Sequence, residues 1–181
     1  MSVTSVTGLL KASLVTLLFA VSAFADESVL SRVPDRKTEP FPRIQVDKLI
    51  VMPNPVGHGD WVDAIKDAKK SLHIVMYHIT EKVMIDALIA RAEDKNLDMR
   101  IIVDTKLTGG YKRAFDSLVA AGVQVRPGSK AFTLTHNKAM VIDGKSAFIS
   151  TINLTNTLNS RDYGIVTPDR AIIDEMEAMF E

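Results

Sequence analysis

The sequence predicts an α/β fold, a mixed β-sheet sandwiched by helices, on three observations. Between residues 44 and 125, short apolar runs of strand length alternate with longer segments whose apolar residues recur at helical spacing. Two further runs, 139–142 and 147–149, flank Asp143-Gly144, a two-residue hairpin signal that makes part of the sheet antiparallel. After one more strand starting near Asp162, Pro168 and Asp169 open a last helix with Ile172, Ile173, Met176 and Met179 apolar. A chain of 181 residues is long enough for one well-cored domain and too short for two of ordinary size.

Residues 1–25 read as a secretory signal: Lys11, an apolar stretch over 14–20, then Ala23-Phe24-Ala25 as a small-x-small cleavage site. The apolar run is shorter than the roughly 20 residues of a membrane anchor and is broken by Ser and Thr, so no stable anchor is expected. The expected location is the periplasm or beyond. Residues 26–43, with Pro34, Pro40 and Pro42, read as an extended leader, and 44–181 as the folded domain. Residues 44–52 form a first strand, ended by Pro53-Asn54-Pro55. Asp60 is the expected N-cap of a helix with Trp61, Ile65, Ala68 and Leu72 on its apolar stripe. His58, between two glycines, is either a peripheral ligand-facing residue or a solvated loop histidine.

Residues 72–77 form a buried strand in which His73 reads as structural. His78 closes it, and Thr80 is the expected cap of a helix over 83–92. Asp104 closes the next strand, 99–103, at the same edge. Ligands of open α/β sheets bind outside the carboxyl ends of strands, so His78 and Asp104 are candidate substrate contacts. For His78 the competing reading is a hydrogen-bonded histidine at a strand terminus. Thr108-Gly109-Gly110 reads as a loop able to move over a site. A helix over 111–121 stops at Gly122, and a short strand, 123–125, precedes the turn Arg126-Pro127-Gly128.

The chemistry concentrates in His136-Asn137-Lys138. Side chains at i and i+2 leave a strand on one face, which sends His136 and Lys138 into one pocket. An imidazole nucleophile beside a fixed ammonium suits attack on phosphorus. Downstream lie Ser150-Thr151-Ile152-Asn153 and then Asp162. His136, Lys138 and Asp143, followed after six residues by a small-small-x-Asn element, resemble the HKD motif of the phospholipase D superfamily. The resemblance extends weakly over residues 49–180. It implies a phospholipase D-like fold with one motif per chain and a phosphohistidine on His136. Lys138 and Asn153 would hold the phosphate oxygens, with Thr151 at the substrate, and Asp162 would orient the histidine. Asp143 completes the motif and counts with it among the candidate catalytic residues, although its place in the turn favours a structural role. The family usually has Gly-Ser where this chain has Ser150-Thr151, a difference expected to narrow the phosphate pocket.

Composition is ordinary for a globular protein, with 46% hydrophobic and 24% charged residues. Lys plus Arg and Asp plus Glu number 22 each, so no basic excess announces nucleic acid. Cysteine is absent, and no His-x-x-x-His spacing occurs. Neither a metal nor another cofactor is expected. The first functional reading is an exported phosphodiesterase that removes a phospholipid head group. The alternative is a sequence-independent endonuclease, with Lys106, Lys112, Arg113 and Lys130 tracking the phosphate backbone. A third is a non-catalytic phosphate-binding module. Because one histidine cannot comfortably serve as nucleophile and acid in one step, the single motif leads to the expectation of a C2 homodimer sharing its active site. A fragment of a two-motif protein is the other way to supply a second histidine.

Overall fold

Seven strands form one mixed sheet in the order β1-β7-β6-β5-β2-β3-β4. They are β1 (Lys48–Met52), β2 (Ser71–Met76), β3 (Asp98–Val103), β4 (Gln124–Pro127), β5 (Lys138–Ile142), β6 (Ser146–Ser150) and β7 (Asp162–Thr167). The described residues also hold four helices: α1 (Gly59–Asp67), α2 (Lys82–Arg91), α3 (Gly109–Ala120) and, after β7, α4 (Arg170–Glu177), the last followed by a 3-10 turn, Ala178–Phe180. The computed structural model describes residues 43–106, 109–156 and 159–181. The expected signal, all of the expected leader but Arg43, and Thr108 lie outside the described residues.

Strands β2, β3 and β4 run parallel, as their helical crossovers require, while β5, β6, β7 and β1 each pair antiparallel with their neighbours. Strand β5 occupies the centre, where the parallel half meets the antiparallel half. Strand alternation then divides the core in two. Leu72, Ile74, Met76, Met140, Phe148, Ile50 and Met52 pack with Trp61 and Ile65 of α1, Met84 and Leu88 of α2, and Leu118 of α3. Val75, Ile102, Ala139, Val141 and Ala147 pack instead with Ile173, Met176 and Phe180 at the C-terminal end. Burial of these apolar side chains supplies the main driving force for the fold. His73, in the middle of β2, is buried between Glu177 and Asp98 and stacks on Phe180, so it ties the last helix to the sheet.

Several local expectations need correction. β1 starts at Lys48 rather than at 44. α1 ends at Asp67, so Leu72 belongs to β2 and not to the helix stripe. His58 is the residue before α1, without a side-chain cap, and Asp60 lies in the first turn paired with Lys48 at 2.5 Å. The residue before α2 is Glu81, not Thr80. Gly109 and Gly110 belong to the first turn of α3 rather than to a free loop.

One cross-strand pair shows how tightly the antiparallel half is fitted. Ser150 lies opposite Gly164, and a Cβ added to Gly164 would come within 2.9 Å of the Ser150 Cβ. The serine, which stands where the HKD pattern has glycine, is accommodated by a glycine on the adjacent strand. Gly164→Ala is expected to lower stability by about 1–3 kcal/mol through overpacking. Ser150→Gly in the same chain should recover most of that loss, read as the midpoint of urea unfolding.

Candidate active site

The strand that carries the site is pinned at both ends by carboxylates. At the hairpin end, Asp143 and Gly144 adopt φ of 55° and 59°, and Lys145 N–H donates to the Ile142 carbonyl at 2.9 Å. The Asp143 carboxylate accepts from the backbone N–H groups of Lys69, Lys70 and Ser71 at 2.6–3.2 Å. Burial pushes this carboxyl upward, but the three donors outweigh it and hold it below the ordinary range. Asp143 lies five residues from Lys138, roughly 17 Å along an extended chain, so it fastens β5 to the start of β2 and is remote from the nucleophile.

At the other end, Asp104 is only 1% exposed. It accepts from the backbone of Thr135 at 2.7 Å and of Lys106 at 2.9 Å. Burial again opposes ionisation, and backbone donors from Thr135, Lys106 and Thr105 reverse the balance and depress its pKa. Asp104 therefore has no surface to offer a substrate. It holds the residue next to His136, a positioning role in place of the expected substrate contact.

Between these anchors the expected pair comes together. His136, just ahead of β5, is exposed, whereas Lys138 is 6% exposed. Both meet the ring of Tyr77. His136 approaches it edge-on at 4.7 Å, and the Lys138 ammonium sits 4.9 Å from its centroid. The ammonium also donates to the His136 carbonyl at 2.9 Å. Burial lowers the Lys138 pKa, with Asp162 partly restoring it. A cation stripped of water in this way gains most from an arriving anion.

Tyr77 also organises a second imidazole. His78 stacks between Tyr77 and Tyr111, 3.7 Å from each. Among the described residues only the backbone carbonyl of His78 accepts a hydrogen bond, and its half-exposed ring has no hydrogen-bond partner there. Tyr77 itself was not legible as a site residue, because it continues an apolar strand and looks like core.

Asn153 is half-buried, and its Oδ1 is enclosed without a partner among the described residues. Its backbone carbonyl is bonded by His58. His58 is 5% exposed, so it is not a solvated loop histidine but a support for the Asn153 segment. Burial lowers its pKa, against the opposing pull of Glu81 and of the Asn153 carbonyl. Thr151 donates to Asp162 at 2.7 Å, and Ser160 bonds the other carboxylate oxygen. Asp162 is thus held by two hydroxyls and acts on Lys138 through its charge, and it makes no hydrogen bond to the His136 ring among the described residues. The Ser150 hydroxyl accepts from Ile152 N–H at 3.1 Å, which turns the chain toward Asn153. No group of three His, Asp or Glu side chains among the described residues is placed to hold a metal ion.

A family model described as "Cardiolipin synthase, PLD-like domain" matches residues 61–181. The chain belongs to the phospholipase D superfamily. Solved structures share the fold. Nuc of Salmonella typhimurium, a phospholipase D family member, superposes with a TM-score of 0.65 at 20% identity, over 74% of this chain and 91% of that one. NucT of Helicobacter pylori gives 0.58 at 18% identity, over the same shares. The phosphatidylserine synthase of Haemophilus influenzae gives 0.54 at 16% identity, over 78% of this chain and 37% of that one. Comparison with curated sequences finds no match.

The two anchoring carboxylates set an acid limit. Because their folded pKa values are depressed, their stabilisation is present above the ordinary carboxylate value, about 3.9, and is lost as pH falls through the lower folded values. Asp143→Asn should lower the melting temperature near neutrality by several degrees. It should also make the decline between about pH 5 and pH 3 shallower than in the wild type, measured by calorimetry across that range.

Proposed function

We propose that this chain is a phosphodiesterase that attacks phosphorus with His136 and removes the head group of a phospholipid. The observation that carries the reaction class is the exposed imidazole and desolvated ammonium assembled on one tyrosine ring. His136 displaces the leaving alcohol to form a phosphohistidine, which water resolves. Lys138 and Asn153 hold the non-bridging oxygens, and Asp162 balances the charge of the lysine. A membrane-surface substrate is favoured by the segment leading into the nucleophile. Phe132 and Leu134, 68% and 39% exposed, line a groove with Arg126, and Lys130 is two residues before Phe132 in the chain, an apolar and basic mixture suited to a lipid interface. That groove, of about 580 Å³, is also lined by Pro127 and Met179. The signal-like pattern of residues 1–25 supports an activity outside the cytoplasm.

A second reading, a sequence-independent nuclease, is favoured by the half-buried Tyr111 ring at the site with Lys106 and Arg113 nearby in sequence. An aromatic face and cations are what a single strand uses to dock. A C2 pair presenting two His136 side chains is one proposed source of the leaving-group proton.

Head-group release from phosphatidylcholine vesicles and cleavage of single-stranded DNA, measured in parallel in EDTA, decide between the readings. Vesicle turnover that survives EDTA, and that falls at least about a thousandfold in His136→Ala, is expected. DNA cleavage lost in the same variant, with vesicles untouched, transfers the assignment to a nuclease. Lys138→Ala should lower turnover by about a hundredfold or more.

A further inference from the structure

The segment that leads the chain to His136 is shaped to face outward. We propose that residues 129–134 form an interfacial loop that seats Phe132 and Leu134 among the acyl chains of an anionic membrane, with Arg126 and Lys130 on its lipid phosphates. This role rests on the reading of the substrate as a membrane phospholipid, and it names the surface on which that substrate is met.

The base of the loop is closed. Gly128 N–H donates to the Val103 carbonyl at 2.7 Å and Thr135 N–H to the Asp104 carboxylate at 2.7 Å, so both ends are tied to consecutive residues at the end of β3. The ends also touch each other, since a Cβ added to Gly128 would lie 2.1 Å from the Thr135 hydroxyl oxygen. Inside the loop, Ala131 N–H donates to the Ser129 hydroxyl at 3.2 Å and Phe132 N–H to the Ser129 carbonyl at 3.3 Å. Loops whose ends meet in this way are compact surface units. Its bonds hold its own shape, and every residue from Ser129 to Leu134 is left exposed.

What the loop exposes is apolar. Phe132, at 68%, is the most exposed large hydrophobic among the described residues. One such side chain is ordinary on a protein surface. Here Phe132 and Leu134 line a groove together with Pro127, Met179 and the sheet residues Val75 and Ile102, which joins them into one patch.

The charge accompanying the patch has one sign. From Ser117 to Ile142 the sequence contains no Asp or Glu, while Arg126, Lys130 and Lys138 all fall in that stretch of a chain whose net charge is zero. Asp104, at the base of the loop, is buried and committed to backbone donors. Arg126 lines the groove and donates to the Met179 carbonyl at 3.4 Å. Apolar side chains flanked by cations match a bilayer with a negative surface and a hydrocarbon interior. The loop ends one residue short of His136, so the membrane it enters is the one the nucleophile meets.

The loop can be followed by fluorescence, because the one tryptophan, Trp61, is buried at 1% exposure. Phe132→Trp is made in the full chain carrying His136→Ala, so that no lipid turns over. It is titrated with vesicles of equal parts phosphatidylcholine and phosphatidylglycerol. The added emission is expected to shift to the blue and to be quenched at least about twofold by brominated acyl chains. Lys130→Gln should raise the half-saturating lipid concentration about fivefold at low salt. Leu49→Trp, on a β1 residue that is 63% exposed, should show no quenching. Leu134→Trp carries the same expectations as Phe132→Trp and replaces it if that variant fails to fold. Emission unmoved by vesicles, or quenching equal at positions 132 and 49, overturns the proposal. So does a shift produced by single-stranded DNA and not by vesicles. Quenching of the Phe132→Trp emission beside a wild-type chain that releases no head group supports the loop and overturns the lipid phosphodiesterase reading alone. Head-group release by the wild type with that emission unquenched does the reverse.

Discussion

A buried ammonium is costly unless something negative is near, and the arrangement around Lys138 follows from that constraint. The side chain is closed to water, yet its compensation is only partial: a carbonyl at 2.9 Å, a tyrosine face at 4.9 Å, and the charge of Asp162, which is itself held by two hydroxyls. None of these matches a full ion pair. The central strand can hold a cation in this condition because its register is fixed at both ends by Asp143 and Asp104, each bonded to backbone N–H groups of another segment. Rigidity of the frame is what keeps the ammonium from relaxing toward solvent. The same frame sets where the neighbouring imidazole stands.

The parts of this arrangement that were legible in the sequence are those governed by period and spacing. The i, i+2 relation of His136 and Lys138, the hairpin at Asp143-Gly144 and the order of strands and helices all follow from local geometry, and the family model and shared fold agree with the architecture. What was not legible depends on pairing between distant segments. Asp104 looked like a substrate contact because it ends a strand at the ligand edge. Only the passage of Thr135 over that edge shows its carboxylate to be enclosed. His58, between two glycines, read as either ligand-facing or solvated, and only the fold shows that it is buried, near Glu81 and Asn153. Helix starts were misplaced by a residue or two at Asp60 and Thr80, where capping chemistry is a weaker signal than tertiary docking.

The Ser150–Gly164 pair bears on how the family pattern should be read here. A serine at a position that usually holds glycine looks, in one dimension, like an obstruction at the phosphate. In the sheet its Cβ faces the one neighbour with no side chain, and its hydroxyl shapes the turn to Asn153. The displaced volume has moved from one strand to the next, and steric room at the site has to be judged from both strands together.

The first strand of the domain does not pair with the second. Among the described residues β1 is hydrogen-bonded only to β7, so Lys48 meets Val166, more than a hundred residues later. During synthesis β1 has no partner until nearly the whole domain has left the ribosome, and bringing such distant segments together slows folding. Through that wait the exposed edge of β1, with Leu49 and Val51 still uncovered in the finished fold, is open to pairing with other chains. A chaperone that covers this edge would protect it. Aggregation during production, rather than weakness of the native state, is therefore the hazard that this sheet order carries.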